Sequence, residues 1–154
     1  MRFIKKLCVL LVFALTLGVF TGCFGQRSNE PVKHVTHSED FSSIEKYFNI
    51  EGVDRVDYES IVFTLERSVE IGPHEARFRG ILYLTEDEAA KLLDKYEWEE
   101  VASPVIEFDE VDKSAIGEGP WYRSNQFDKE SFKAISVTNC YFDGKKLVFD
   151  IHQT

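Results

Sequence analysis

Four groups of side chains in this 154-residue chain have types and spacings that chemistry could use. His34 and His37 form H-x-x-H and are followed by Glu39 and Asp40. Two imidazoles and two carboxylates make a donor set for zinc or nickel. Asp109, Glu110, Asp112 and Glu118 crowd a stretch that also holds Gly117, as an oxygen-ligated calcium loop would. Cys140 is a thiol that a base could activate, with His74 and His152 as the remaining imidazoles. Finally, Gly117 to Asn125 reads GEGPWYRSN, and it places Trp121, Tyr122, Arg123 and Asn125 behind a glycine- and proline-bounded loop.

The first three groups fail on their own terms. The H-E-x-x-H spacing of metalloproteases is absent, and a metal site needs ordered outer partners that an unpatterned polar segment does not supply. In an EF-hand frame from Asp112, Gly117 takes position six and Ser114 position three. Ile116 then falls at position five and Arg123 at position twelve, where a bidentate Glu is required. No G-x-S-x-G elbow is present. Cys140 sits between Asn139 and Tyr141 with no adjacent cation to stabilise a thiolate, so it reads as a small buried hydrophobe. His74 follows Pro73 at a turn and His152 lies near the end, and both read as surface residues. A glycosidase pair of carboxylates requires a separation that a linear sequence does not encode. No catalytic residue, metal or cofactor is assigned.

The fourth group is different. Trp, Tyr and Arg are the residue types enriched at binding hot spots, because they combine flat apolar area with hydrogen-bonding tips. Trp121, Tyr122, Arg123 and Asn125 are therefore the candidate binding residues. A second reading stays open, in which Trp121 and Tyr122 close one end of the core while Arg123 reaches outward over it.

Composition bounds the class of partner. There are 27 Asp and Glu against 18 Lys and Arg, a formal net charge of −9. Nucleic-acid binding rests on phosphate neutralisation by basic residues, so this balance excludes it as an expectation. The charge is unevenly placed. Arg2, Lys5 and Lys6 are basic, and the first 22 residues hold no acid, so the remainder carries 15 basic and 27 acidic side chains, a net of −12.

Arg2, Lys5 and Lys6 precede a 14-residue apolar run from Leu7 to Phe20, shorter than the roughly 20 residues that cross a bilayer. A basic segment followed by a short apolar one is the pattern of a secretory signal. The next residues are Thr21-Gly22-Cys23. This resembles the lipobox of bacterial lipoproteins, in which small residues stand before an invariant cysteine. Phe20 departs from it, since that position usually holds an aliphatic residue. The resemblance covers residues 1 to 23. It implies removal of residues 1 to 22, lipidation of Cys23 with acyl chains such as palmitate, and an exported protein lipid-anchored on the extracytoplasmic face of a bacterial membrane. More than one acyl chain suffices for stable anchoring. Cys8 would leave with the signal, so Cys140 would be the only free thiol.

These residues need elements to hold them. Residues 23 to 38 are the lipidated cysteine and a polar stretch without periodicity, expected as a flexible tether. Residues 39 to 154 are expected to form one domain. Phe41, Ile44 and Phe48 predict a short helix over about Glu39 to Phe48, capped by Ser38. Val56 and Tyr58, then Ile61, Phe63 and Leu65 on the opposite parity, predict a strand broken by a bulge, or two strands, near Ser60. Gly72-Pro73 marks a turn before a second strand, Ala76 to Leu84. Thr85-Glu86-Asp87-Glu88 is a capping box opening a helix from Glu86 to about Tyr96, with an Asp87–Lys91 pair and an apolar face of Ala89, Leu92, Leu93 and Tyr96. Pro104 to Phe108 is a short strand, 109 to 120 a loop, and Phe127 to Ala134 a helical turn capped by Asp128. Asp143-Gly144 joins Ile135–Phe142 to Leu147–Ile151 as a hairpin. The sum is an α+β fold, an antiparallel sheet of four to six strands with one or two helices packed on one face.

The expected function is a membrane-anchored, non-enzymatic binding module for a protein, peptide or envelope component. The acidic field favours a basic partner. Two alternatives are a carboxylate-dependent envelope hydrolase and an immunity or inhibitor lipoprotein. Metabolic labelling with palmitate tests the address: wild type takes up label, Cys23→Ser does not, and globomycin causes the precursor to accumulate. Label persisting on Cys23→Ser would refute it.

Overall fold

Alternating apolar and polar residues run through most of the chain beyond the tether. Accordingly, the computed structural model, which describes residues 31–64 and 76–153, is mostly sheet. The strands are β1 (Val32–Ser38), β2 (Val53–Thr64), β3 (Ala76–Leu84), β4 (Glu99–Val101), β5 (Trp121–Arg123), β6 (Ser136–Phe142) and β7 (Lys146–His152). They form one antiparallel sheet in the order β1-β2-β3-β7-β6-β5-β4. Two α-helices, α1 (Glu86–Lys95) and α2 (Asn125–Glu130), accompany it. Seven strands exceed the expected four to six. His74, the Gly72-Pro73 turn, Cys23 and the rest of residues 1–30 lie outside the described residues.

Three strands were not foreseen, β5 in the candidate binding stretch and two others, β1 and β4, in segments with no apolar alternation of their own. The expected tether is strand from Val32 onward, laid along β2 in the register Val32↔Thr64 to Ser38↔Tyr58. The ordered sheet therefore starts seven residues earlier than the 39–154 boundary. β1 is an edge strand, exposed along most of its length, which is why its sequence could stay polar. β4 was not foreseen, and the expected strand at Pro104–Phe108 is irregular chain. The predicted helix over Glu39–Phe48 is two 3₁₀ turns, Phe41–Ser43 and Glu45–Tyr47. Asp40, rather than Ser38, caps the first of them by accepting from the Ser42 N–H at 3.0 Å.

The parity change in β2 has a simple cause. β2 is one continuous strand across Ser60, and its pairing irregularity lies at Val53/Arg55. Successive side chains point to opposite faces. Val56, Tyr58, Leu82, Leu147 and Phe149 join one buried cluster, while Ile81 and Val148, one residue out of phase, join another. Both faces of the sheet are thus covered. The larger cluster takes Ile44 and Tyr47 from the 3₁₀ region, Ala89 and Leu92 from α1, and Phe127 from α2. The smaller takes Ile106, Phe108, Val111 and Trp121 from the segment after β4. Packed against the larger cluster, Trp98 makes tilted contacts with Phe127 and Phe142, with centroids 5.2 and 4.8 Å away, and its indole N–H donates to the Leu92 carbonyl at 3.0 Å.

Local signals hold where the pattern was strong. Thr85 caps α1, accepting from the Glu88 N–H at 3.3 Å. The Glu88 carboxylate pairs with Lys91 at 3.3 Å, so this contact replaces the expected Asp87–Lys91 pair. Leu93 departs from the expected apolar face and is 48% exposed. The β6–β7 hairpin forms, but only Gly144 has positive φ, at 91°. Asp143 instead accepts from the Lys145 and Lys146 N–H groups at 2.9 and 2.8 Å, which closes a longer turn. In β3, a Cβ on Gly80 would stand 2.5 Å from the Asp57 carbonyl oxygen, so only glycine allows this approach of β2 to β3.

A charged group is sealed under the smaller cluster's cover. Glu59 is wholly buried on β2, directly across from Arg79 on β3. Arg79 approaches its carboxylate at 2.5 Å, and the Asp109 and Glu110 N–H groups donate to it at 2.8 and 2.7 Å. Asp109 then accepts from Arg79 at 2.7 Å and from Lys33 at 2.5 Å. The Lys33 hydrogen bond holds the Asp109 carboxyl below its usual range. A depressed carboxylate stabilises the fold above its unfolded pKa, and this fastening is lost as pH falls through the folded value.

Removing Glu59 orphans two N–H groups and leaves the buried Arg79 guanidinium with Asp109 as its one remaining carboxylate partner. Glu59→Ala should cost about 3–5 kcal/mol in urea unfolding. Replacing Glu59 and Arg79 together by Met should cost clearly less than Glu59→Ala, because the buried guanidinium that lost half of its compensation is removed with it.

Candidate binding cleft

The candidate residues sit where the sheet ends. β5 pairs with β4 through Glu99↔Arg123, Glu100↔Tyr122 and Val101↔Trp121, and with β6 through Tyr122↔Phe142. Ser124 then breaks the strand and caps α2, its hydroxyl accepting from the Phe127 N–H at 3.4 Å. The cap is Ser124, not the expected Asp128, because the helix starts at Asn125, two residues before the expected Phe127. Between β4, β5 and the start of α2 lies an open cleft of about 330 Å³, lined by Glu97, Glu99, Val101, Arg123, Ser124, Asn125 and Gln126.

The four sequence candidates separate here. Arg123 and Asn125 line the cleft. Trp121 is 1% exposed and belongs to the smaller core cluster, with the Lys146 ammonium 5.8 Å from its ring centroid. Its type is explained by packing, so it is a core residue and not a contact surface. Tyr122 is half-buried and does not line the cleft. Glu97, Glu99, Ser124 and Gln126 line it without having been anticipated. Their only sequence signal is that Glu97 and Glu99 alternate with the packed Trp98, and this means little until β4 is known to pair with β5.

The electrostatics are mixed. Arg123 lies 3.5 Å from the Asp128 carboxylate and 5.4 Å from the Tyr141 ring centroid, so its charge is partly engaged. Among the described residues, Glu97 and Glu99 have no ion-pair partner. Burial pushes the Asp128 carboxyl up, outweighing the attraction of Arg123, and its Oδ1 is buried without a hydrogen-bond partner. Burial also pushes the Cys140 thiol well up, and the nearby Asp128 charge adds to this, so the thiolate is suppressed.

The other motifs resolve structurally. His34 and His37 are three apart on a strand, so their rings leave opposite faces and cannot converge on one ion. His34 Nε2 meets Thr64 Oγ1 at 2.8 Å, and His37 Nε2 meets Asp57 Oδ1 at 2.7 Å. Among the described residues no group of three or more His, Cys, Asp and Glu side chains could hold a metal ion. In the acidic loop, Asp109 fastens to Lys33 and Arg79. Asp112 caps the 3₁₀ turn Lys113–Ile116, accepting from the Ser114 N–H at 2.9 Å. His152 is half-buried, with Nδ1 3.1 Å from Thr138 Oγ1. No family model, curated protein or solved structure matches the chain.

Asp128 titrates with the opposite sign to Asp109. Its raised pKa means that its contribution to stability is fully present below the unfolded value and is lost as pH rises through the folded one. Asp128→Asn removes the buried charge and keeps the shape. It should leave acid stability unchanged and raise thermal stability at neutral pH. A loss at neutral pH would show that the Arg123 pairing outweighs burial.

Proposed function

We propose that this chain is an exported bacterial lipoprotein, anchored through Cys23, that works as a non-enzymatic binding module at the cell envelope. The observation that carries the binding reading is the cleft itself. A planar cation and an amide, Arg123 and Asn125, stand beside two carboxylates, Glu97 and Glu99, in one open depression. Hydrogen-bonding groups of both signs around a recess are what fix the orientation of a bound polar partner. Val101 in the cleft wall packs against the cluster that buries Trp121, a packed backing that keeps the cleft's shape without help from a ligand.

The anchor bears on where such a partner would be met. With β1 starting at Val32, only residues 24–31 separate Cys23 from the sheet. Eight residues reach at most about 28 Å. The partner would then lie in, or close to, the membrane-facing layer of the envelope. A domain with this acidic balance is repelled by anionic headgroups, which leaves the cleft free for a soluble or wall-bound partner.

A photo-crosslinking residue at Gln126, introduced into the full chain in a bacterial envelope, should give a discrete adduct. The same residue at exposed Leu93 should not. Glu97→Ala with Asn125→Ala should reduce the Gln126 adduct about tenfold, as expected for truncating two polar contacts that line the cleft. An adduct insensitive to both substitutions would remove the cleft from the binding surface.

A further inference from the structure

Among the described residues the sheet has two open ends, and they differ in charge. β1 forms one, with its Lys33 and His37 already engaged by Asp109 and Asp57. β4 forms the other, and among the described residues only its β5 side is paired. In an antiparallel ladder alternate residues turn their N–H and C=O groups away from the partner strand, so β4 offers unmade backbone hydrogen bonds. Beside that edge lies the cleft, with Glu97 and Glu99 facing into it.

Charge decides the occupant. Glu99 and Glu100 are both exposed on this short strand. A second copy pairing edge to edge would set these carboxylates against their equivalents, and such repulsion is a common device against self-association of sheet edges. Among the described residues none of Glu97, Glu99 and Glu100 has an ion-pair partner, whereas Arg123 is held by Asp128 and Tyr141. The unneutralised charge at this edge is therefore negative. The geometry points to an extended basic peptide segment, added as an eighth strand against β4 with alternate Lys or Arg side chains entering the cleft between Glu97 and Glu99. Main-chain hydrogen bonds supply affinity in this mode, and alternate side-chain positions supply selectivity. The inference rests on the cleft being the binding site and names the partner's backbone form and charge.

The test uses the full chain in a neutral detergent and a short, capped, fluorescent peptide of alternating lysine and valine, followed by anisotropy. The peptide should bind, and more weakly as salt rises. Glu97→Gln with Glu99→Gln should weaken binding about tenfold, consistent with loss of two exposed charge pairs. Both sites are exposed, so melting should be unchanged. Methylating alternate backbone nitrogens of the peptide should abolish binding on the hydrogen-bonding face. Binding that survives both methylation registers would overturn strand addition. Binding unaffected by the Glu→Gln pair would overturn the assignment of charge. If a glutamate–valine peptide binds instead, and Arg123→Ala abolishes that binding, the basic strand is wrong while the cleft remains the site. If neither peptide binds and Gln126 gives no crosslink, the binding-module reading falls with it.

Discussion

A carboxylate with no access to water must be matched by its surroundings, and Glu59 sets that constraint on β2, one strand in from the β1 edge of this sheet. Its position on β2 places it across from Arg79, which supplies the charge. Two backbone N–H groups from residues 109 and 110 satisfy its Oε2, while Oε1 has the Arg79 charge beside it without a hydrogen bond. A segment with no regular structure around those residues is thereby tied to one spot on the sheet. Once tied, it can bury Ile106, Phe108, Val111 and Trp121 against Ile81 and Val148. Trp121 begins β5, so the same fastening holds the strand that presents Arg123 and leads into Asn125. The cleft is in this sense downstream of an ion pair on another strand.

Covering both faces changes what the strands must look like. A sheet packed on one side reads as strict alternation, whereas a sheet packed on both sides reads as runs or as parity changes. β7 is such a run, buried from Leu147 through Ile151, with Asp150 included because Arg77 reaches it. The free energy comes mainly from the larger cluster, where Phe48, Phe127, Phe132 and Phe149 meet at tilted or edge-on angles. No disulfide among the described residues assists it, as Cys140 is free and buried within the same cluster.

Legibility followed the range of the interactions. Thr85 and the α1 stripe, the β3 strand and the Asp143-Gly144 hairpin are local devices, complete within about ten residues, and each was readable. The segment at Phe41–Phe48 was apolar at helical spacing, yet the chain tightens into 3₁₀ turns so that Ile44, Tyr47 and Phe48 can all reach the core. β1 and β4 were invisible because edge strands need no apolar face of their own, only a neighbour with free hydrogen bonds. Among the site residues, the loop between Gly117 and Asn125 could be singled out by type. Which of its side chains turn inward could not, since Trp121 is equally suited to a core and to a binding surface.

The sequence by itself determined the charge balance, the signal-like first segment with its resemblance to a lipobox, the antiparallel character and the best-capped helix. Each depends on composition or on spacing between near neighbours. Tertiary structure alone decided that a polar stretch becomes β1, that Trp121 is core while Arg123 and Asn125 are lining, and that Glu97 and Glu99 join them. Those outcomes depend on pairing between residues far apart in the chain, such as Glu99 with Arg123 and Glu59 with Arg79. Side-chain type constrains such pairs without selecting them, because many partners satisfy the same chemistry and only the closed sheet chooses among them.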